Sequence, residues 1–589
     1  MGTDVQQHAY TFFCQNFYPV FWSFMRSNFC LFSWLLRQAI LFFALGLGMS
    51  GVQALVPNTP STVVLTGRNL SIDQVRQVAR AGARVEVSSE ALSRLERSHR
   101  LLLAAAQQDK PIYGLNRGVG LNKDQTIFKG DAIDPAVRAI SERFNRNMLL
   151  THSVGIGSEV PQEVVRATML VRLNTLLVGG AGVQPIVARM YEYFLNHGIH
   201  PVMFSRGSIG EADIGILPQI GLAMMGEGEV IYQGRRIAAS SALKSAGLVP
   251  VKLFAKDSLS LISSNAYSAG MAVLRVVDSE RFLDAADRVF SLSLEGLNGN
   301  VAPFLPAVQV SRPFVGQQQT AAHIRSLLEG SYLWSLSEQR ALQDPLSYRT
   351  VSQTHGAVRD ILGLLKSQLE IQVNSSDDNP TIVLDISPPE GVTEQEKKYY
   401  LFGKDLAGSI FPTASFDPLP WALNLQSVTI ALSHVANSSF QRTLRLSDPA
   451  FTKLPRFLSP NPATFGYTTI QKTASYLNTE IKALSQPVSI DAAPTAGNIE
   501  DVTSNAALIA LRAGDTIDRA YYLLGIEFMN AAQAVDLRLR ETPALALGNK
   551  TRPLLQAFRK TTPFLDADRY MASDIQKTAE FLRTLPAQE

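Results

Sequence analysis

Several stretches of this chain bring together residue types that could do chemistry. "SRGSIGEADIGILPQIGLAMMGEGEV", residues 205–230, carries Glu211 and Asp213 at the bend between a glycine-bearing loop and an apolar run. Carboxylates whose pKa values are pushed apart can divide general-acid and general-base work, and a pair of them can also hold a cationic amine. Acids at that place would equally well cap the free N–H groups of the helix that follows. "YGLNRGVG", residues 113–120, sets the phenol of Tyr113 ahead of glycines that let backbone approach a ligand closely, or else forms a tight turn around a core tyrosine. "QDPLSYRTVSQTHGA", residues 343–357, carries Gln343 and Arg349 at a proline-marked turn. A guanidinium fork there suits a substrate carboxylate, the alternative being an ordinary surface arginine. "NSSDDNP", residues 374–380, is a polar loop of the kind turns use. Glu480 lies in a helical run that is otherwise fairly apolar. Burial there would raise its pKa into a range useful for proton transfer, whereas an ion pair would make it structural.

These stretches need a scaffold, and the pattern around them is helical. Ser71 and Asp73 open "SIDQVRQVARAG", which closes on Gly82, and Ser88, Ser89 and Glu90 open "SSEALSRLERSHRLLLAAAQQ". Pro161 stands where a first helical turn tolerates it, and Gly198 ends the helical region begun there. Longer periodic runs cover about 273–298, 355–373, 422–447, 468–486 and 499–540. Strand signals are few, the best being "EVIYQGRRIAA" with a turn at Gln233 and Gly234. Long runs with few breakers favour a bundle over a doubly wound sheet. Proline and glycine at 298–317, 386–392 and 411–420 mark loops between helices.

The chain has 589 residues, 46% of them hydrophobic, enough for a large core. Its 54 Lys and Arg against 51 Asp and Glu leave no basic excess to track a nucleic-acid backbone. From Met25, an alternative start, Arg26 and Arg37 precede an apolar run over 39–48 and the small residues around Ala54. This is the pattern of a secretory signal peptide cut after Ala54, and the run is short for a membrane anchor. Export to the periplasm or medium is therefore expected, with no membrane span left after cleavage. Cys14 and Cys30 both precede the cut, so the mature chain would hold no disulfide, thiolate nucleophile or Cys-ligated zinc.

Taken in order, "YGLNRGVG", "GSIG…GEGE", "QDPLSYR", "NSSDDNP" and "LNTEIKALSQPVSIDAAPTAGNIEDV" resemble the histidine and phenylalanine ammonia-lyase superfamily over about residues 60–540. The resemblance implies a mainly helical homotetramer whose sites combine loops from three subunits. It also implies an electrophile, methylidene-imidazolone (MIO), made from an internal Ala-Ser-Gly in the loop matching "GSIGEAD". Here the matching tripeptide is Glu211-Ala212-Asp213, and no Ala-Ser-Gly occurs elsewhere. Alanine has no hydroxyl to lose, so no MIO and no other cofactor is expected. By the same resemblance Tyr113 is the catalytic base, Gln343 and Arg349 bind the substrate, and Glu480 is the active-site glutamate. Ser263 stands where the superfamily has a catalytic asparagine, with Asn265 two residues on. Leu346 replaces a tyrosine and Ile499 a glutamine, while Phe416 is kept beside Asp417, at a position that is often histidine.

The expected fold is mainly α: a signal peptide over 1–54, an N-terminal loop-rich active-site portion over 55–250, a long central helical bundle over 251–540 and a helical tail over 541–589. The expected function is an exported carbon–nitrogen lyase, or a related α,β-elimination or addition enzyme, that works without MIO on a small substrate bearing a carboxylate. Tyr113, Glu211, Asp213 and Glu480 are its catalytic candidates, and Asn265, Gln343, Arg349, Phe416 and Asp417 its substrate-binding candidates. The alternative is an envelope binding or scaffold protein that keeps the fold and does no chemistry. A metal-assisted variant would use Glu211, Asp213 and Asp417, although nothing in their spacing demands a cation, and no metal is expected.

Overall fold

The computed structural model describes residues 62–586 apart from 403–405 and 491–492. The signal segment and both cysteines lie outside the described residues. The first described element is a parallel pair of strands, Thr62–Leu65 and Arg84–Val87, joined by the helix Ile72–Arg80. Ser71 caps that helix as its sequence position suggests, in a reciprocal box with Gln74.

The longer helices follow as α1 (Ser89–Gln107), α2 (Pro135–His152), α3 (Gln162–Leu177), α4 (Ala266–Leu297), α5 (Val315–Leu327), α6 (Val351–Gln372), α7 (Leu419–Leu446), α8 (Ile470–Leu484) and α9 (Ala506–Glu541). The five long periodic runs thus become α4, α6, α7, α8 and α9. The last is shorter than its run because 499–505 stays non-helical. The region between Pro161 and Gly198 is two helices, α3 and Pro185–His197, where periodicity suggested one stretch. Gly179 and Gly182, both at positive φ, break it between them. The hairpin forms as read, with Glu229–Tyr232 pairing with Arg235–Ala238 around a turn in which Gln233 and Gly234 both have positive φ. A three-stranded antiparallel sheet of Thr381–Leu384, Ala407–Phe411 and Tyr400–Phe402 carried no clear alternation in sequence.

α4 and α9, 32 and 36 residues long, pack along each other at the centre, flanked by α6, α7 and α8. Both are apolar around most of their circumference, as helices enclosed by neighbours must be. Small residues let their backbones approach: a methyl group placed on Gly296 of α4 would lie 3.0 Å from the Ala534 methyl of α9. Among the described residues no helix is long and apolar enough to cross a membrane. For the site, the important consequence is that α4 begins at the centre of the fold with its N-terminal N–H groups buried, and something must satisfy them.

Candidate active site

The loop 207–217 leaves the strand Phe204–Arg206 and turns back on itself through positive φ at Gly207, Gly210 and Ala212. The reversal sends the two acids in opposite directions. Glu211 enters the wall of a cavity of about 740 Å³, while Asp213 turns into the interior and is fully buried. Neither acid caps the helix that follows in sequence, Pro218–Met224, which has no side-chain cap. Asp213 instead reaches the start of α4: it accepts hydrogen bonds from the Ser268 backbone N–H (2.9 Å) and hydroxyl (3.0 Å), and from the Ser208 hydroxyl (2.7 Å). Burial pushes its pKa up to about 6, against the pull of those donors. Asp213 therefore anchors the loop to the helix and does not face the cavity, contrary to its expected place beside Glu211.

A second buried acid completes the same helix end. Asp377, from the "NSSDDNP" stretch, accepts from the Asn265 N–H (2.9 Å) and the Ser264 hydroxyl (2.7 Å). Its charge and that of Asp378 are met by Arg172, itself fully buried, at 2.9 and 2.8 Å. What reads as turn chemistry in sequence is a buried ion cluster, costly to break on one side only. Removing the Asp213 carboxyl would likewise strand buried donors. Asp213→Ala is expected to cost about 3 kcal/mol, from the penalty for unsatisfied donors to a charged acceptor. Chemical denaturation checks this, and a change within about 0.5 kcal/mol, the range of ordinary surface substitutions, would refute the anchoring role.

The cavity itself gathers Tyr113, Glu211, Phe416 and Ser263 with Ile499 and Glu500. Tyr113 stands on a loop kept in place by Asn116, which accepts from the Ile112 N–H and donates to the Lys110 carbonyl. Gly114 has positive φ and no room for a methyl group against Leu259, so the glycine after the tyrosine is required. The Tyr113 oxygen accepts from the Gly120 N–H at 2.8 Å. Burial raises its pKa, the Gly120 bond opposes this, and the charge of Glu500 adds to the rise.

Glu211 has one carboxyl oxygen, Oε2, with no hydrogen-bond partner. Burial and then Glu500 push its pKa up to about 7; the Val502 N–H opposes, and Asp501 and Asp417 add to the rise. This is an acidic wall within a cavity whose other sides include Phe144, Met148, Leu259 and Ile262. Glu500 was not singled out in sequence, although it lies inside "NIEDV"; an acid at a loop tip looks like any solvated one. His152 also lines the cavity, its Nδ1–H donating to the Met148 carbonyl at 2.8 Å.

Asn265 sits behind this wall, fully buried, with Nδ2 3.4 Å from the Gly210 carbonyl and Oδ1 unpartnered. Asp417 does not line the cavity; it accepts from the Leu419 N–H at 2.9 Å, at the start of α7. With Asp213 and Asp417 both engaged elsewhere, the carboxylates of the metal-assisted reading do not converge with Glu211, and no metal-holding group of His, Cys, Asp or Glu occurs among the described residues. Gln343, Arg349 and Glu480 do not line the cavity of this chain. Arg349 donates to Gln343 at 2.5 Å on the short helix Leu346–Arg349, with Leu346 largely exposed beside it. Glu480 is not buried as its apolar surroundings suggested: about a third of it is exposed, and it pairs with Arg519 at 3.1 Å.

The MIO group does not fit these residues. Ala212 is at the apex of the loop with only a methyl group, so there is no hydroxyl whose loss could create a methylidene carbon.

The family model for aromatic amino acid lyases matches residues 70–560. The chain is 33% identical over 523 residues to a histidine ammonia-lyase of Geobacillus sp. (strain WCH70), covering 88% of this chain and 96% of that one. It is 34% identical over 528 residues to a histidine ammonia-lyase of Koribacter versatilis (strain Ellin345), covering 88% and 97%. Among solved structures it is similar to the ergothioneine-degrading enzyme ergothionase from Treponema denticola, determined in complex with desmethyl-ergothioneine sulfonic acid. That likeness has a TM-score of 0.81 and 36% identity, over 89% of this chain and 99% of that one. With its helical bundle, its tyrosine loop and its matched length, the chain belongs to the aromatic amino acid lyase family.

Proposed function

We propose that this chain is a MIO-independent carbon–nitrogen lyase that eliminates a tertiary amine from a small quaternary-ammonium betaine, whose carboxylate it also binds. The observation that carries the reading is the loop apex: Ala212 in place of a hydroxyl-bearing residue, with the Glu211 carboxyl in the cavity wall beside it. An electrophile is useful when the leaving nitrogen is a primary amine, a poor leaving group with a lone pair to give. A trialkylammonium nitrogen has no lone pair to add to an electrophile and already leaves as a neutral amine. Its needs are a carboxylate to meet the positive charge and apolar walls for the alkyl groups, and this cavity has both. Ergothioneine, which the similar Treponema denticola enzyme degrades, is a betaine of this class.

In this reaction Tyr113 takes the proton from the β-carbon, the C–H electron pair becomes the new C=C bond, and the C–N pair departs with the amine. The proton acceptor is the phenolate, which is scarce while burial and Glu500 hold the Tyr113 pKa up; a fixed positive charge in the cavity acts the other way and raises its population. Glu211 recognises the cation. Gln343 and Arg349, paired on an exposed turn, are assigned to the carboxylate of a substrate bound by a neighbouring copy, which makes a homotetramer with composite sites the working form. The signal pattern before Ala54 supports a place for this activity in the periplasm or outside the cell.

The test supplies purified protein with ergothioneine or histidine trimethylbetaine and, separately, with histidine, and follows tertiary amine and ammonia. Release of trimethylamine from a betaine is expected, together with an unmodified mass for the tryptic peptide 207–235. Ammonia release from histidine with a dehydrated peptide would overturn the reading. Binding of betaines without any turnover would return the protein to the non-catalytic alternative, which the replacements at Ser263, Leu346 and Ile499 favour.

A further inference from the structure

A second cavity, of about 620 Å³, lies between the first half of α1, the segment 178–180 and the strand Thr381–Leu384. Arginines dominate its charge. Arg94, with its side chain only 14% exposed, has its Nε and Nη2 committed to neutral partners, the carbonyls of Leu177 and Thr66. Its nearest carboxylate, Glu90, is 3.5 Å away and 86% exposed, too well solvated to neutralise it. Arg68 lines the same cavity, and its guanidinium has no hydrogen bond or ion pair among the described residues. Burial first, and then the charge of Arg68, lowers the pKa of Arg94, with Glu90 opposing; three arginines of the lining outnumber its two acids, Glu90 and Asp385. Arg97 is paired with Asp385 through a single nitrogen and keeps its other donors. Ser93 and Thr381 add hydroxyl groups to the lining.

Like charges held together around a concavity are unfavourable unless something negative joins them. We propose that this cavity binds a doubly charged oxyanion of the phosphate class, held by Arg68, Arg94 and Arg97. Arg94 has Nη1 left for one charge-assisted contact, and the fork of Arg68 matches the spacing of two phosphate oxygens. The Ser93 and Thr381 hydroxyls donate to the remaining oxygens. The site is separate from the lyase cavity, although the segment bearing Thr381 also carries Asn379, which lines that cavity.

The experiment is a calorimetric titration of the full chain with inorganic phosphate at pH 7.5 and constant ionic strength, with Arg68→Glu, Arg68→Ala and an ADP arm. Saturable binding is expected, weakened by about tenfold or more in Arg68→Glu, the scale of one lost charge-assisted contact. Arg68 is exposed and its side chain has no hydrogen bond or ion pair among the described residues, so the variants should fold; should Arg68→Glu not, Arg68→Ala carries the comparison with a weakening of about threefold or more, the lower end of that scale. ADP binding more tightly than phosphate would identify the source as a nucleotide, and equal or weaker binding as the free anion. Absence of saturable phosphate binding in the unmodified chain, or binding unchanged by substitution of Arg68, would overturn the proposal.

Discussion

Tyr113→Phe is expected to lower turnover of a quaternary betaine by about 10²- to 10⁴-fold, the usual contribution of a positioned general base, while leaving betaine affinity nearly unchanged. The phenylalanine ring keeps the packing of the tyrosine and loses only the oxygen. That oxygen does two things: it accepts the Gly120 N–H, which shapes the loop over the cavity, and it faces the ligand space. Single-turnover kinetics beside equilibrium binding separate these roles. If affinity falls as much as turnover, Tyr113 supports the loop and does not take the proton; if turnover alone falls, the base assignment stands.

Glu211→Gln should act on the other kinetic constant. A carboxylate that recognises a fixed positive charge binds the ground state at least as well as a transition state in which that charge is disappearing. Its loss therefore raises KM more than it lowers kcat. One charge-assisted contact corresponds to about 10- to 100-fold. The pH dependence provides a sharper check. With the Glu211 pKa pushed up to about 7, the group is mostly neutral below that pH and anionic above it. A quaternary ligand carries its charge at every pH, so affinity should rise as pH increases through about 7 and level off beyond it. In Glu211→Gln the profile should lose that step. A step that persists in the variant would assign the titration to another group.

Much of the scaffold was legible because helix periodicity is a local property. The runs that became α4, α6, α7 and α8 repeat apolar residues at three- and four-residue spacing whatever packs against them, and their ends agree with the structure to within several residues. The small sheet around Thr381–Leu384 was not, because its short strands depend on pairing partners up to 30 residues away and alternate weakly. Within the site, Tyr113, Glu211 and Phe416 line the cavity. Glu500 escaped notice, since an acid becomes informative only when its neighbours are known; here they are Glu211 and Tyr113, whose pKa values burial raises first and the charge of Glu500 raises further.

The covalent chemistry open to the chain was decided by sequence alone. Side-chain composition is independent of folding, and no arrangement of Glu211-Ala212-Asp213 supplies a hydroxyl for an MIO ring. Tertiary structure decided what the two acids do. Separated in sequence by Ala212 alone, they look like a pair at the start of the next helix. In the fold, the positive φ at Ala212 turns them apart, and the buried N-terminus that needs an acid belongs to α4, more than 50 residues later. Asp213 goes there because unsatisfied N–H groups at the centre of a bundle have no water to bond. Glu211 remains in the cavity as an acid free to meet a ligand. The same non-local geometry puts Gln343, Arg349 and Glu480 outside the cavity, because residues joined only through a fold have no signature in the spacing between them.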